Sequence, residues 1–321
     1  MATYTPLPPD EARRIAARFG REVTSIEGLV AGSVNSNYRL TCRDGERIFL
    51  RIYEEQSAEG AAGEVELLDW LGDRGLPAVR PLRGLDGGAL DELEGRSVAL
   101  FPWVDGDICC QALVSPERAR IIGAALARIH RIGAPRPRPG RFRVADLFAR
   151  CDRIEEAPAP ELAAMAPRLR GWLAEVEARR STEAPRGLCH GDLFRDNVLW
   201  QGLSLRALLD FESASDEPFA FDLAVTILAW CHGDELRRDL ASALVAGYQS
   251  ERPLLPGDRA ALHAETLLAA LRFTVTRITD YSMRAHLGAT SFRDYRRFLA
   301  RFEVVQGLGH DGWLAFLGLD P

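Results

Sequence analysis

The stretch Leu188-Cys-His-Gly-Asp-Leu-Phe-Arg-Asp-Asn-Val-Leu-Trp-Gln-Gly-Leu-Ser-Leu-Arg-Ala-Leu-Leu-Asp210 decides how the chain is read. Apolar runs at Asn197–Trp200 and Leu205–Leu209 flank Gln201-Gly202, the pattern of a short β-hairpin. His190, Gly191 and Asp192 stand before the first run, Asn197 follows Asp192 with four residues between, and Asp210 closes the second run. A carboxylate, an amide and a second carboxylate are thereby gathered around one hairpin. Phosphoryl transfer asks for this set: a carboxylate to orient an attacking hydroxyl, and an amide with a carboxylate to hold Mg²⁺ on nucleotide phosphates. Taken singly, His190, Asp192 and Asp196 are ordinary polar turn residues. Their order together with Asn197, the apolar strand and Asp210 is what points to chemistry.

The spacing Asp-x₄-Asn is that of the kinase catalytic loop, with Phe211-Glu212 after Asp210 where Phe-Gly is usual. The stretch resembles the catalytic loop of the aminoglycoside phosphotransferase and choline kinase superfamily, a branch of the protein-kinase-like fold. The string HGDLFRDNVLW is similar to the type II homoserine kinase form H-A-D-L-F-R-D-N-V-L-F. Ala246–Leu254 (AGYQSERPL) and Ala270–Asp280 (ALRFTVTRITD) resemble the same family, and the likeness extends back to Tyr4-Thr5-Pro6-Leu7. It implies a two-lobe α+β architecture, with a small β-rich lobe over residues 1–103 and a larger, mostly helical lobe over 104–321. It also implies ATP and Mg²⁺ as cofactors and transfer of the γ-phosphoryl group to the hydroxyl of L-homoserine, on the route to threonine.

Composition narrows the alternatives. The chain has 321 residues, enough for two lobes, and 47% apolar residues, enough for a real core. A net charge of −6 gives no electrostatic case for a nucleic-acid partner. No apolar run is long enough for a spanning helix, and the polar start MATYTPLPPDEARR lacks a signal-peptide core, so a cytoplasmic protein without a membrane partner is expected. Cys42, Cys109, Cys110, Cys151, Cys189 and Cys231 are scattered without a CxxC spacing, which suggests reduced thiols and neither zinc nor a disulfide framework. All 40 basic residues are arginine. The absence of lysine excludes Schiff-base chemistry and hands to arginine any phosphate contact that kinases make with lysine.

In chain order, Asp10–Gly20 reads as a short helix, and Val23–Leu40 as two strands around a Gly/Ser/Asn-rich turn. Gly32, Ser33, Asn35 and Ser36 of that turn are candidates to approach phosphates through backbone N–H groups, against the plainer reading of a hairpin turn. The segment is similar to the family's G-x-x-E-N-S/T-N-[YF], with Val34 in place of the acid. Arg51, on the alternating strand Arg47–Tyr53, stands where the superfamily usually has a lysine. It either reaches the nucleotide phosphates or is a solvated strand residue. Glu64 on the helix after Ala58 is its candidate ion-pair partner, with Glu66 as the alternative. A hairpin is expected around Leu85-Asp-Gly-Gly88, then a strand Arg96–Trp103 whose Phe101 and Trp103 would lie at the adenine.

Beyond Trp103 helical patterns dominate. Ser115-Pro-Glu-Arg opens a helix to Ile132; its His130 reads as packed or capping, not as a ligand. Further helices are expected over 143–156 and 159–180. The resemblance implies that Asp192 orients the hydroxyl, that Asn197 and Asp210 hold the metal, and that His190 holds the loop. Asp222 matches the superfamily's D-L-A motif, which implies a brace for the loop. With Arg195, Arg272 and Arg277 it makes up the candidate substrate-facing set, arginine being suited to a carboxylate. Leu228 and Ala229 replace polar residues of the family's N-D-W-C segment. The rival readings are a kinase for an aminoglycoside, amino alcohol or sugar, a stress-response protein kinase, and a nucleotide-binding module without turnover.

Overall fold

Alternation in the sequence builds the first sheet. Tyr38, Leu40 and Cys42 on one strand and Ile48, Leu50 and Ile52 on the next repeat every second residue and are buried in one cluster, since a period of two sends them to one face. The computed structural model describes residues 5–29, 34–140, 143–283 and 293–320. It divides into two compact units, Met1–Gly106 with Arg206–Leu209, and Asp107–Leu205 with Asp210–Pro321.

In the first unit, β1 (Val23–Leu29), β2 (Ser36–Cys42), β3 (Arg47–Ile52), β4 (Leu90–Leu93) and β5 (Arg96–Pro102) form an antiparallel sheet in the order β1-β2-β3-β5-β4. Helix α1 (Pro9–Arg18) presses Ala12, Ile15 and Ala16 onto the same cluster. Helix α2 (Ala58–Asp73) starts at Ser57, whose side chain accepts the Gly60 N–H. The expected hairpin at Leu85–Gly88 is not where the strands turn. Asp86 folds back onto the Gly88 N–H at 2.9 Å in a local turn, and β4 pairs with β5 around Glu94-Gly95. Those residues have φ of +50° and +78°; left-handed residues in a two-residue connection match the twist of the flanking strands.

The second unit is mostly helical. It contains β6 (Asp107–Ile108), α3 (Pro116–Ile132), α4 (Val144–Glu155), α5 (Pro160–Ala163), α6 (Ala166–Glu177), β7 (Arg186–Cys189), β8 (Val198–Gln201), β9 (Ser204–Leu208), β10 (Ser215–Pro218), α7 (Phe219–Trp230), α8 (Arg238–Glu251), α9 (Pro256–Asp280) and α10 (Arg296–Leu317). The last residues of β9 group with the first unit. The hairpin read from the sequence is β8–β9, turning at Gly202 with φ of +59°. The single helix expected over 159–180 is two, because Pro167 sits in the first turn of α6 and cannot continue a helix from before it. Helix α7, which is apolar nearly all round, buries every residue from Ala220 to Trp230, and α9 buries nearly all of its middle, polar residues such as Glu265 and Arg272 included. No helix among the described residues is long and apolar enough to cross a membrane.

Helices α3 and α8 meet through glycine. A Cβ on Gly123 would lie 1.9 Å from the Leu244 carbonyl oxygen, and one on Gly247 would lie 2.0 Å from that of Arg120. Gly123→Ala and Gly247→Ala should each force the helices apart and cost roughly 1–3 kcal/mol or more. The double variant should lose less than the sum, because one separation relieves both clashes. Urea titration of the three variants measures this.

Candidate active site

The geometry is organised by Asp222, in the first turn of α7 and fully buried. Its Oδ2 accepts the His190 backbone N–H at 2.6 Å, and its Oδ1 accepts that of Gly191 at 2.8 Å. His130 Nε2 lies 3.0 Å from Oδ2, and His130 Nδ1 lies 2.7 Å from the Tyr248 hydroxyl. Burial lowers the His130 pKa, so the ring is neutral, with Nε2–H donating to Asp222 and Nδ1 accepting from Tyr248. Arg252 donates to the Tyr248 hydroxyl at 3.1 Å and pairs with Asp258 at 2.9 Å. Burial alone would raise the Asp222 pKa, but the His130 hydrogen bond and the loop N–H groups outweigh it and the net shift is downward. The sequence grouped Asp222 with substrate-facing residues. With no exposed surface and both oxygens occupied, it has the placement of the brace that the resemblance also implied, and not of a substrate-facing residue.

The loop itself folds tightly around that anchor. Gly191 has φ of +75°, and a Cβ there would sit 2.8 Å from the Ser213 carbonyl oxygen. Its own carbonyl accepts Arg272 Nη1–H at 2.6 Å. Trp230 Nε1–H donates to Leu193 O at 2.9 Å. His190 is fully buried against Phe211, ring centroids 4.5 Å apart, and its Nδ1 accepts the Asp192 N–H at 3.3 Å. His190 and Arg272, candidates for catalysis and for substrate, are thus fasteners of the loop backbone.

Asp192, Asn197 and Asp210 come together as the sequence predicts. Asn197, in the short helical turn Arg195–Asn197, donates through Nδ2 to Asp192 O at 2.8 Å and to Asp192 Oδ2 at 3.3 Å, leaving its amide oxygen as an acceptor. Asp210 adopts φ of +60°, ψ of 69°, a left-handed conformation that costs energy outside glycine. Its Oδ1 is buried without a hydrogen-bond partner. Burial, the dominant cause, and the nearby Asp210 charge push the Asp192 carboxyl up to about 7, although Arg272 and Arg293 pull it down. An orphaned carboxylate oxygen, an amide oxygen and a second carboxylate form a hard oxygen donor set, and they fit a divalent cation of the Mg²⁺ kind.

Among the described residues, the remaining predicted ones have partners of their own. In the first unit Arg51 pairs with the buried Glu64 at 3.2 Å, and Gln56 also donates to Glu64 at 3.1 Å. Gly32 and Ser33 lie outside the described residues. Asn35 and Ser36 are buried with their side chains on the Glu54 backbone N–H and carboxylate, so only their backbones remain as phosphate donors. Phe101 packs beside Phe49, centroids 6.2 Å apart. Trp103 lies under Arg39 and Arg47, and its N–H donates to Arg47 O. Arg195 donates to Ala229 O and Cys109 O at 3.4 Å each, and Arg277 to Asp294 O at 3.0 Å. Arg293 and Arg301, unread in the sequence, also lie here. Arg293 pairs with Asp196 at 2.9 Å and Arg301 is buried on α10. Only their place in the fold separates them from the chain's other arginines.

The profile of the family described as "Phosphotransferase enzyme family" matches residues 25–254. A homoserine kinase of Methylobacterium radiotolerans is 36% identical over 290 residues, covering 88% of each chain. Another, of Methylobacterium sp. (strain 4-46), is 34% identical over 325 residues, covering 98% of this chain and 99% of that one. Among solved structures, the amicoumacin kinase hAmiN in complex with AMP-PNP, Ca²⁺ and Ami superposes with a TM-score of 0.71 at 16% identity over 94% of both chains. That likeness is one of fold.

Asp222→Ala leaves two backbone N–H groups and the His130 Nε2–H without their acceptor in the interior, and should cost about 3–5 kcal/mol, read as a lowered Tm. Asp192→Asn acts in the opposite direction. A carboxyl whose folded pKa is raised to about 7 loses stability as pH climbs from its unfolded value, about 4, through about 7. The amide escapes that loss. Asp192→Asn should therefore raise Tm at pH 8 and by much less at pH 5, as differential scanning calorimetry at the two pH values will register.

Proposed function

This chain belongs to the phosphotransferase enzyme family, and from that premise we propose that it transfers the γ-phosphoryl group of ATP to the side-chain hydroxyl of L-homoserine, giving O-phospho-L-homoserine. The observation that carries the substrate is the likeness to homoserine kinases at 36% and 34% identity over nearly whole chains. The braced loop carrying Asp192, Asn197 and Asp210 supports the reaction type.

In this reading Asp192 Oδ accepts a hydrogen bond from the acceptor hydroxyl, aims it, and takes its proton as the oxygen becomes bonded to phosphorus. Asn197 would hold that carboxylate in place through Nδ2 and, with Asp210, would hold the divalent cation. Bound there, the cation supplies charge that neutralises the nucleotide phosphates. Asp222, His190 and Arg272 do no chemistry; they keep Asp192 at one position, and catalysis by positioning depends on that. Arg51, anchored by Glu64, is the proposed phosphate contact from the first unit, with the Phe101–Trp103 segment at the base. Protein kinases likewise fix a basic residue through a helix glutamate.

Coupled ADP release with Mg-ATP should be selective for L-homoserine over L-serine, L-threonine, choline and kanamycin. ADP release without acceptor, or faster with another one, would sink the substrate assignment. Asp192→Ala should lower kcat by at least about 10³-fold with native circular dichroism. The wild-type kcat/KM should fall tenfold per pH unit on the acid side of about 7, since the proton acceptor must be ionised. A flat profile down to pH 5 would show that the Asp192 carboxyl stays ionised to below pH 5 in the working enzyme.

A further inference from the structure

Among the described residues, four arginines beside the loop form no ion pair with a carboxylate. Arg301 on α10 is only 8% exposed, yet its Nε has no hydrogen-bond partner. Its guanidinium lies 4.3 Å from the centroid of the Phe298 ring, and that of Arg277 lies 4.4 Å from the same ring. Among the described residues Arg195, Arg277, Arg297 and Arg301 form no ion pair with a carboxylate, whereas neighbours do: Arg293 with Asp196 at 2.9 Å and Arg150 with Asp280 at 2.6 Å. Burial first, then repulsion by Arg277, Arg297 and Arg195, brings the Arg301 pKa down to about 9; burial first, then repulsion by Arg293 and Arg297, brings that of Arg277 to about 10. Arg195, Arg277 and Arg297 all repel Arg301, so the group is one electrostatic cluster. The Asp192 charge acts on Arg277 in turn, which sets the cluster beside the proposed proton acceptor.

Burying a cation without a counter-charge is costly. Arg301 is buried and Arg277 and Arg195 are half-buried, while Arg297 is exposed; an anion brought by a ligand would offset the cost at Arg301 and Arg277. We propose that Arg277 and Arg301, flanked by Arg195 and Arg297, are the seat of the acceptor's carboxylate and select an amino-acid alcohol over the corresponding amino alcohol. This rests on the reading of the chain as a homoserine kinase. The hydroxyl and carboxylate of homoserine are only three carbons apart, so a hydroxyl at Asp192 brings the carboxylate to a neighbouring side chain. Arg272 is not in the seat, because its Nη1 holds the Gly191 carbonyl. Nor does the nucleotide need these arginines, because its proposed contacts are Arg51 and the cation at Asn197 and Asp210.

The test is steady-state kinetics of wild type, Arg301→Gln, Arg277→Gln and Arg301→Lys with Mg-ATP, using L-homoserine and 3-aminopropan-1-ol, which is homoserine without its carboxylate. Wild type should favour homoserine by at least about 10²-fold in kcat/KM, the scale of a buried charged group left unpaired by the wrong ligand. In the two glutamine variants the homoserine KM should rise about 10²-fold, while kcat/KM for 3-aminopropan-1-ol and the KM for ATP change by less than about threefold. Arg301→Lys should recover part of the loss. The Tm of Arg301→Gln should not fall, since an unpaired buried charge is removed, and this separates lost binding from lost folding. Equal losses on both acceptors, an unchanged homoserine KM, or a rise confined to the ATP KM would overturn the seat alone. Wild-type turnover of another acceptor and none of homoserine would overturn the functional reading and the seat with it.

Discussion

The catalytic loop depends on one carboxylate that reacts with nothing. Asp222 accepts the backbone N–H groups of His190 and Gly191 and the ring of His130, all in the interior. Its charge survives burial only because those donors outweigh the loss of water. The dependence runs both ways. Without Asp222 the loop has two buried donors with no acceptor, and without the loop Asp222 is an uncompensated charge. Gly191 completes the lock, since its left-handed φ and the Ser213 carbonyl at 2.8 Å from any added Cβ leave one backbone path. From this anchor the Asp258–Arg252–Tyr248–His130 chain runs out through α9, α8 and α3. The loop is thereby tied to three helices of the second unit.

Against that rigid frame, the reacting groups are held in conformations that the fold would otherwise avoid. Asp192 and Asp210 repel each other, Asp210 is left-handed, and one of its oxygens is buried alone. Each of these is a cost that a cation removes on arrival. Also near Asp192 the imbalance has the opposite sign, with Arg195, Arg277, Arg297 and Arg301 forming no ion pair with a carboxylate among the described residues. An acceptor with a carboxylate and a nucleotide with its metal would each supply one missing charge. Opposite charge imbalances around one residue mark a site organised for a charged ligand.

The parts legible in the sequence were those fixed by local pattern. The β8–β9 hairpin, the α3 cap at Ser115 and the Asp192–Asn197 spacing each rest on residues close in the chain. The errors arose where distant partners decide. Asp86-Gly87-Gly88 carries strong turn residues, but the strand register of β4 on β5 put the hairpin at Glu94-Gly95. The side-chain bonds of Asn35 and Ser36 to Glu54 were likewise out of reach of a local reading. Arg301 could not be told from 39 other arginines, because its distinction is the absence of a carboxylate in the folded interior, a fact that no window of sequence contains.

The absence of lysine ties these observations together. A lysine on β3 would be a mobile point charge that can shed its proton when buried. Arg51 stays charged, and its planar fork is oriented by one bond to Glu64. The same property explains how α9 and α10 can carry Arg277 and Arg301 over a buried phenylalanine. A guanidinium is weakly hydrated and stacks on rings, so it survives where an ammonium would neutralise. Even lowered to about 9 and about 10, their pKa values leave both arginines cationic at neutral pH. The chain therefore meets every anion it handles with a group whose charge does not switch and whose geometry is preset. At the loop, burial pushes the Asp192 carboxyl up to about 7, and Asp192 is the residue from which the proposed reaction requires a change of protonation.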